Sequence, residues 1–194
     1  MTYKFSESLK KIFTKYNKKN FLNIKGKNYT FGHLDRMSNQ ICNCLLEKKI
    51  YTKNKIIIAA KKDIMIFASI FACLKIGCAY SIVDFEMPKE RLQKIFERCD
   101  PNLIIVTNKN ENLKAKRRKK LLIDENLVKK YKSKIKDFIL PDSLPAYIMF
   151  TSGSTGFPKG AIIARKSIIN FVKTSKEKFL IKKNDIFTNV NPIY

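Results

Sequence analysis

The stretch that decides the fold is Thr151-Ser152-Gly153-Ser154-Thr155-Gly156-Phe157-Pro158-Lys159-Gly160. It carries four hydroxyl side chains, three glycines and one lysine, and it lies between two apolar runs, residues 146–150 and 161–164. Hydroxyl and backbone N–H groups bind phosphate oxygens, and glycines let a ligand approach the backbone closely. A flexible Ser/Gly linker is the alternative interpretation. Because strand-like runs flank the stretch on both sides, the sequence favours an anion-binding loop over a linker.

Three well-known loop motifs do not match this stretch. The P-loop pattern needs a glycine five residues after its first, and counting from Gly153 that position is Pro158. The dinucleotide-binding pattern G-x-G-x-x-G fails because Thr155 stands where its second glycine belongs. The nucleophile elbow G-x-S-x-G fails because Phe150 stands two residues before Ser152. The sequence therefore excludes these three motifs here.

The ten residues resemble, at every position, the phosphate-binding signature T-S-G-S/T-T-G-x-P-K-G of the adenylate-forming superfamily. That superfamily comprises acyl-CoA synthetases, luciferases and amino-acid adenylation domains. Residues 27–34 are similar to its early motif LTYxEL, with His33 where an acidic residue is common, and residues 74–84 are similar to LKAGxAYVPID. Pro88 to Leu92 follow as PxERL does in amino-acid-activating members. Within the superfamily, we expect the D-alanine–carrier-protein ligase type to be nearest.

Hydrophobic periodicity predicts an α/β fold with parallel-sheet layers flanked by helices. Three short apolar runs, 55–60, 79–83 and 103–107, are typical of buried strands, and a last strand is predicted near 186–190. Asp63 is predicted to cap a helix that Gly77 ends, and Pro88 to begin a helix that runs to Cys99.

The N-terminal segment is predicted to form a helix, a hairpin and a second helix. Apolar residues recur at helical spacing from Phe5 to Tyr16, and a strand–turn–strand pattern surrounds residues 25–28. Thr30 can cap the second helix. The resemblance implies that residues 1–194 are part of the large N-terminal AMP-binding domain of an adenylate-forming enzyme, with the C-terminal domain absent.

The resemblance also implies a reaction. A carboxylate attacks the α-phosphorus of ATP to give an acyl-adenylate and pyrophosphate, and a thiol then takes the acyl group. The implied cofactors are ATP and Mg²⁺, the substrate is a small carboxylate or amino acid, and the acceptor is a phosphopantetheine carrier protein or CoA. The residues implied to hold the ATP phosphates are Thr151, Ser152, Gly153, Ser154, Thr155, Gly156 and Lys159.

No complete catalytic set is expected in this sequence. The motifs that the resemblance places after the loop, for magnesium, for the ribose and for the C-terminal catalytic lysine, would follow residue 194. Arg165 stands where many members have a histidine. We therefore expect the chain alone not to catalyse adenylation, and a complementing C-terminal chain is one possible partner. A non-catalytic scaffold with the same fold is the alternative.

The formal charge of +24 raises the hypothesis of a basic nucleic-acid-binding module. The lysines are dispersed along the chain, however, and the densest basic run, residues 114–120, has no aromatic residues between its cations to stack on bases. Solvated lysines and a solvated loop are therefore favoured, without a specific nucleic-acid partner.

The remaining composition predicts a soluble cytoplasmic protein without a metal site. The longest apolar run, residues 64–74, is too short to cross a bilayer, and the N-terminus has no signal-peptide core. Five cysteines without a C-x-x-C pair, together with a single histidine, predict buried reduced thiols rather than a zinc site.

Overall fold

The computed structural model of the chain describes residues 4–59, 62–84, 86–107, 119–151 and 157–190. Helices and strands alternate through these ranges, as the sequence predicts. In chain order they are α1 (Lys4–Lys15), β1 (Asn20–Ile24), β2 (Lys27–Thr30), α2 (Phe31–Glu47), β3 (Lys55–Ala59), α3 (Ile64–Ile76), β4 (Ala79–Val83), α4 (Lys89–Cys99), β5 (Leu103–Val106), β6 (Lys120–Leu122), α5 (Glu125–Lys129), β7 (Pro145–Thr151), β8 (Lys159–Ala164) and α6 (Arg165–Lys178).

The described strands form one hairpin and one six-stranded sheet. β1 and β2 make the predicted antiparallel hairpin, and the sheet has the order β6-β5-β3-β4-β7-β8. Its neighbouring strands are parallel except for β7 and β8, which are antiparallel. The predicted α/β class with a helix-flanked parallel sheet is confirmed, with one antiparallel strand added at an edge.

The central strand β3 is buried on both faces from Ile56 to Ala59, which explains the unbroken apolar sequence of these residues. Ile56 and Ile58 pack in a core with α2 and α3, whereas Ile57 packs on the opposite face against α4. Each fully buried Ile side chain contributes about 1.5–3 kcal/mol relative to an exposed one. This double burial holds the sheet rigid between its two helical layers.

The predicted helix ends are confirmed by their capping geometry. The Thr30 hydroxyl accepts a hydrogen bond from the His33 backbone N–H (3.2 Å), and the His33 Nδ1 accepts one from the Thr30 N–H (3.5 Å). His33 thus closes a capping box in place of the more usual acidic residue. Gly77 ends α3 in the left-handed conformation (φ 80°) that glycine adopts without strain.

The predicted last strand near residues 186–190 is wrong. Within the described range this segment has no strand geometry, and Ile186 and Val190 are 92% and 88% exposed. A strand requires a neighbour to satisfy its backbone N–H and C=O groups. No described strand pairs with the segment, although the Lys62 ammonium donates a hydrogen bond to the Asn189 carbonyl (2.8 Å). The basic run 114–120 lies outside the described residues, apart from Lys119 and Lys120.

Candidate functional site

The predicted loop joins two adjacent strands. Thr151 is the last residue of β7, Lys159 is the first of β8, and the two are paired in the antiparallel register. Both residues are exposed. The structure therefore brings together the two ends of the predicted loop. The other five predicted site residues lie outside the described residues: Ser152, Gly153, Ser154, Thr155 and Gly156.

The loop begins at the edge of the sheet where ligands of α/β folds bind. β7 runs parallel to β4, so its carboxyl end shares an edge with the carboxyl ends of β3, β4 and β5. The helix after β3 packs on one face of the sheet and the helix after β4 packs on the other. Because these two helices leave toward opposite faces, a crevice opens between the carboxyl ends of β3 and β4. The predicted loop starts one strand away from that crevice.

Asp63 follows β3 at this edge of the sheet, and its carboxylate is engaged in structural hydrogen bonds. Its Oδ1 accepts from the Ile66 N–H (3.0 Å), and its Oδ2 accepts from the Thr107 hydroxyl (3.2 Å). Burial raises the pKa of the Asp63 carboxyl above its ordinary value, although these hydrogen bonds oppose the shift. The geometry makes Asp63 the N-cap of α3 and a link to the end of β5, and we assign it no catalytic role.

Gly160 fixes how the return arm of the loop packs. It pairs with Phe150 across the β7–β8 ladder. A Cβ atom at Gly160 would lie 3.0 Å from the Phe150 ring and 3.1 Å from the Ile148 Cγ2. The glycine is therefore required for the Phe150 ring to lie across the strand. The predicted phosphate ligands do not include Gly160, although a glycine within a strand often marks such a close approach.

Phe157 occupies the variable position of the signature and is held by α4. Its ring is 63% exposed, and its centroid lies 5.0 Å from the Lys94 ammonium nitrogen. The following residue, Pro158, is buried. The sequence did not identify Lys94 as a residue near the loop, because it belongs to no motif. Its proximity becomes evident only when the fold places α4 beside Phe157.

Arg165, at the position of the family histidine, is a buried structural residue. It is 1% exposed, and its guanidinium donates hydrogen bonds to the Leu74 carbonyl (2.8 Å) and the Ser6 hydroxyl (3.2 Å). The guanidinium carbon also lies 4.5 Å from the centroid of the Phe5 ring. Burial lowers the pKa of Arg165 to about 10, with the Asp142 carboxylate opposing the shift.

Arg165 lies at the far end of β8 from the loop. Lys159 begins the strand and Arg165 follows its last residue, so at about 3.4 Å per residue they are roughly 20 Å apart. Arg165 therefore ties α1 and the end of α3 to the start of α6, and it makes no contact that would suit a phosphate ligand.

A large cavity among the described residues is separate from the predicted phosphate ligands. It has a volume of about 1330 Å³ and lies between α1, α3, α6 and the strands β4 and β7. Its lining is mostly apolar and includes Phe150, but neither Thr151 nor Lys159 lines it. The cavity therefore carries no argument about phosphate binding.

The thiols of the chain lie in the interior of the fold. All five cysteines are buried, as predicted, none is joined in a disulfide, and burial raises the pKa of Cys42 and Cys78 to about 12. In the part of the chain that the structure describes, no group of three or more His, Cys, Asp or Glu side chains could hold a metal ion. In the same ranges, no helix has the length and hydropathy that a bilayer crossing needs.

Comparison with known proteins places these features in a family. The family described as AMP-binding enzyme matches residues 9–194. A dimodular nonribosomal peptide synthase of Bacillus subtilis (strain 168) is 31% identical over 164 residues, which are 80% of this chain and 7% of that protein. Tyrocidine synthase 1 of Brevibacillus parabrevis is 27% identical over 166 residues, which are 84% of this chain and 15% of that protein. The chain thus spans a small part of these curated relatives.

Solved structures share the fold. The nonribosomal peptide synthetase FmoA3 superposes with a TM-score of 0.82 at 20% identity, over 93% of this chain and 19% of that one. The N-terminal subdomain of Klebsiella oxytoca NpsA superposes with a TM-score of 0.74 at 18% identity, over 83% of this chain and 42% of that one. None of these four proteins is a D-alanine–carrier-protein ligase, so that finer assignment stays a prediction. The match over residues 9–194 shows that the chain belongs to the AMP-binding enzyme family, the adenylate-forming superfamily, and has the fold of part of its N-terminal domain.

Proposed function

We propose that residues 1–194 hold the phosphates of ATP in a ligase that activates a carboxylate as its adenylate. The observation that carries this proposal is the complete signature from Thr151 to Gly160, set between paired strands at the carboxyl edge of the sheet. The family membership supports an adenylating ligase. The peptide synthases among the relatives support an amino acid as the carboxylate.

The proposed roles follow from the charge that develops during adenylation. As the carboxylate attacks the α-phosphorus, negative charge accumulates on the departing pyrophosphate. Hydroxyl and backbone N–H donors fixed around its oxygens favour that transition state over the ground state. We assign the hydroxyls to Thr151, Ser152, Ser154 and Thr155 and the close backbone approach to Gly153 and Gly156. Lys159 supplies an ammonium group to the β- and γ-phosphates.

The other partners are part of the same proposal. Mg²⁺ would accompany the nucleotide, and we assign it no ligand among the described residues. A phosphopantetheine carrier protein or CoA would accept the acyl group, and the cytoplasm would supply the ATP. We further propose that residues 1–194 are a partial AMP-binding domain, and that ribose and catalytic-lysine contacts come from further segments or a complementing chain.

Glycine-selective NMR provides a direct test, because the chain has only six glycines. Labelling with ¹⁵N-glycine gives one amide signal for each. We expect tripolyphosphate and MgATP to shift the signals of the three signature glycines, Gly153, Gly156 and Gly160. The signals of the three remote glycines, Gly26, Gly32 and Gly77, should stay in place.

A matched pair of lysine variants separates specific from general attraction. Lys159→Ala should raise the dissociation constant for tripolyphosphate about tenfold, since a charge-assisted hydrogen bond is lost. Lys129→Ala makes the same charge change on α5, which follows the strand at the opposite edge of the sheet, and should change binding less than twofold. Equal losses in the two variants, or shifts spread over all six glycines, would show general attraction to a cationic chain and contradict the proposal.

Binding experiments also distinguish the two alternatives, a nucleic-acid-binding module and a non-catalytic scaffold. A chain of charge +24 is expected to bind any DNA weakly and to release it as salt rises. Selective binding of one oligonucleotide that survives raised salt would favour a nucleic-acid-binding module. If the chain is folded but neither ATP nor tripolyphosphate shifts the signals of the loop glycines, the non-catalytic scaffold is favoured.

A further inference from the structure

A contact from a residue outside the signature, Lys94, reaches the described end of the predicted phosphate loop. The Lys94 ammonium lies over the ring of Phe157, 5.0 Å from its centroid. Phe157 directly follows the undescribed part of the loop and directly precedes buried Pro158. A cation over an aromatic face is attracted by the negative potential of the ring. The contact therefore joins helix α4 to the return arm of the loop.

Helix α4 is a rigid base for this contact. Leu92, Ile95 and Phe96 are buried, and they pack in the core that contains the β3 residue Ile57. The helix ends at Asp100, which has a left-handed backbone (φ 45°) and whose N–H donates a hydrogen bond to the Phe96 carbonyl (3.0 Å). Because its apolar side is fixed to the sheet, α4 presents the half-buried Lys94 at a defined place.

The β7–β8 ladder holds the residues at the two ends of the predicted loop. Thr151 ends β7 and pairs with Lys159, and Gly160 packs closely against the Phe150 ring. Phe157 lies two residues before Lys159, outside the paired part of the ladder. A restraint on its ring thus acts on the part of the arm that the ladder itself does not reach.

We propose that Lys94 is a positioning residue for the phosphate loop, acting on the return end of the loop through the ring of Phe157. The proposal rests on the proposed function of that loop. A return end that is already held in place loses less conformational freedom when polyphosphate binds, so the contact strengthens binding without touching the ligand. Cation–π pairs at exposed sites change equilibrium constants about two- to fivefold, and Phe157 is 63% exposed.

The first test needs no ligand. Because the chain has no tryptophan, Phe157→Trp introduces a single fluorescent reporter at the contact itself. In that background we expect Lys94→Gln to lower the fluorescence anisotropy of the reporter, because the arm is released. Lys94→Arg should preserve the anisotropy, since a guanidinium also stacks on the ring. Lys89→Gln removes the same charge from an exposed position of the same helix and should change nothing.

The second test measures coupling in ligand binding. Tripolyphosphate dissociation constants are compared for the parent chain, Lys94→Gln, Phe157→Leu and the double variant. We expect each single variant to bind two- to fivefold more weakly and the double variant to bind no more weakly than Phe157→Leu, apart from the small charge effect seen in Lys89→Gln. Independent effects that multiply in the double variant would overturn the proposal, as would an anisotropy unchanged by Lys94→Gln.

The two tests distinguish this proposal from the proposed function. If tripolyphosphate fails to shift the signals of the signature glycines in the parent chain, the proposed function is wrong. The positioning role is then wrong as well, even if the anisotropy shows that Lys94 restrains the Phe157 position. If the glycines shift but Lys94→Gln behaves like Lys89→Gln in both experiments, the loop binds phosphate without Lys94. In that case only the positioning role is wrong.

Discussion

Replacement of Gly77 by alanine tests the fit between the end of α3 and its surroundings. Gly77 has a φ of 80°, and a Cβ atom there would lie 3.0 Å from both the Leu140 Cδ1 and the Thr52 Cγ2. Leu140 is buried, and the Thr52 hydroxyl is tied to the Ile76 carbonyl by a 2.8 Å hydrogen bond. Neither neighbour is therefore free to move away.

The expected cost has two parts. An alanine in the left-handed conformation costs about 1 kcal/mol relative to glycine. Two contacts at 3.0 Å in a packed region add an overpacking cost of about 1–3 kcal/mol. Gly77→Ala should thus lower the free energy of unfolding by about 2–4 kcal/mol. For a chain of this size each kcal/mol lowers Tm by about 2–4 °C.

Gly26→Ala is the matched control, because Gly26 has a φ of 79° and no heavy atom within 4 Å of its added Cβ. It should lose only the conformational part, about 1 kcal/mol. The free energy of unfolding is measured by urea denaturation of both variants and the parent chain. Leu140→Ala should cost less in the Gly77→Ala background than in the parent, because it makes room for the new methyl group. Equal losses for the two glycine variants would refute the packing argument.

Three further predictions concern the Lys75 ion pair, the Asp63 carboxyl and the thiols. Lys75→Met should lower the free energy of unfolding by about 2–4 kcal/mol, because the Lys75 ammonium bonds Asp35 at 2.6 Å and the Ser38 hydroxyl at 2.7 Å. Lys10→Met, which breaks an ion pair whose side chains are 67% and 62% exposed, should cost less than about 1 kcal/mol by the same denaturation. Because burial raises the pKa of Asp63, the stability that its protonated form contributes is complete below about pH 4 and is lost as pH rises through the folded-state pKa. The stability of Asp63→Asn relative to the parent should therefore rise with pH above about 4, and a flat difference would contradict this. The five buried thiols should react with a disulfide reagent at pH 8 far more slowly in the folded chain than in urea, and fast reaction of any one would contradict its burial.

The sequence predicted the elements that local chemistry determines. The caps at Thr30 and Asp63 and the stop at Gly77 are short-range hydrogen-bonding and backbone effects, and all three are confirmed. The unbroken apolar run of β3 likewise predicted burial on both faces.

Features that depend on distant parts of the chain could not be predicted in the same way. The antiparallel pairing of β8 and the irregular segment 186–190 depend on which strands lie beside them. The burial of Arg165 depends on α1, which is more than 150 residues away in the sequence, and its hydrogen bond to Ser6 spans 159 residues. Lys94 and Phe157 meet only because the sheet places α4 beside the loop.

The most direct test of the central claim is carboxylate-dependent exchange of pyrophosphate into ATP. The assay compares the 194-residue chain with a polypeptide that continues into the segments that its relatives have beyond this span. We expect no exchange by residues 1–194 alone and measurable exchange by the longer polypeptide. There, Lys159→Ala should lower the rate about 100-fold, in keeping with the loss of one transition-state donor, and Lys129→Ala should leave it unchanged. Undiminished exchange in Lys159→Ala, or exchange by residues 1–194 alone, would contradict the account.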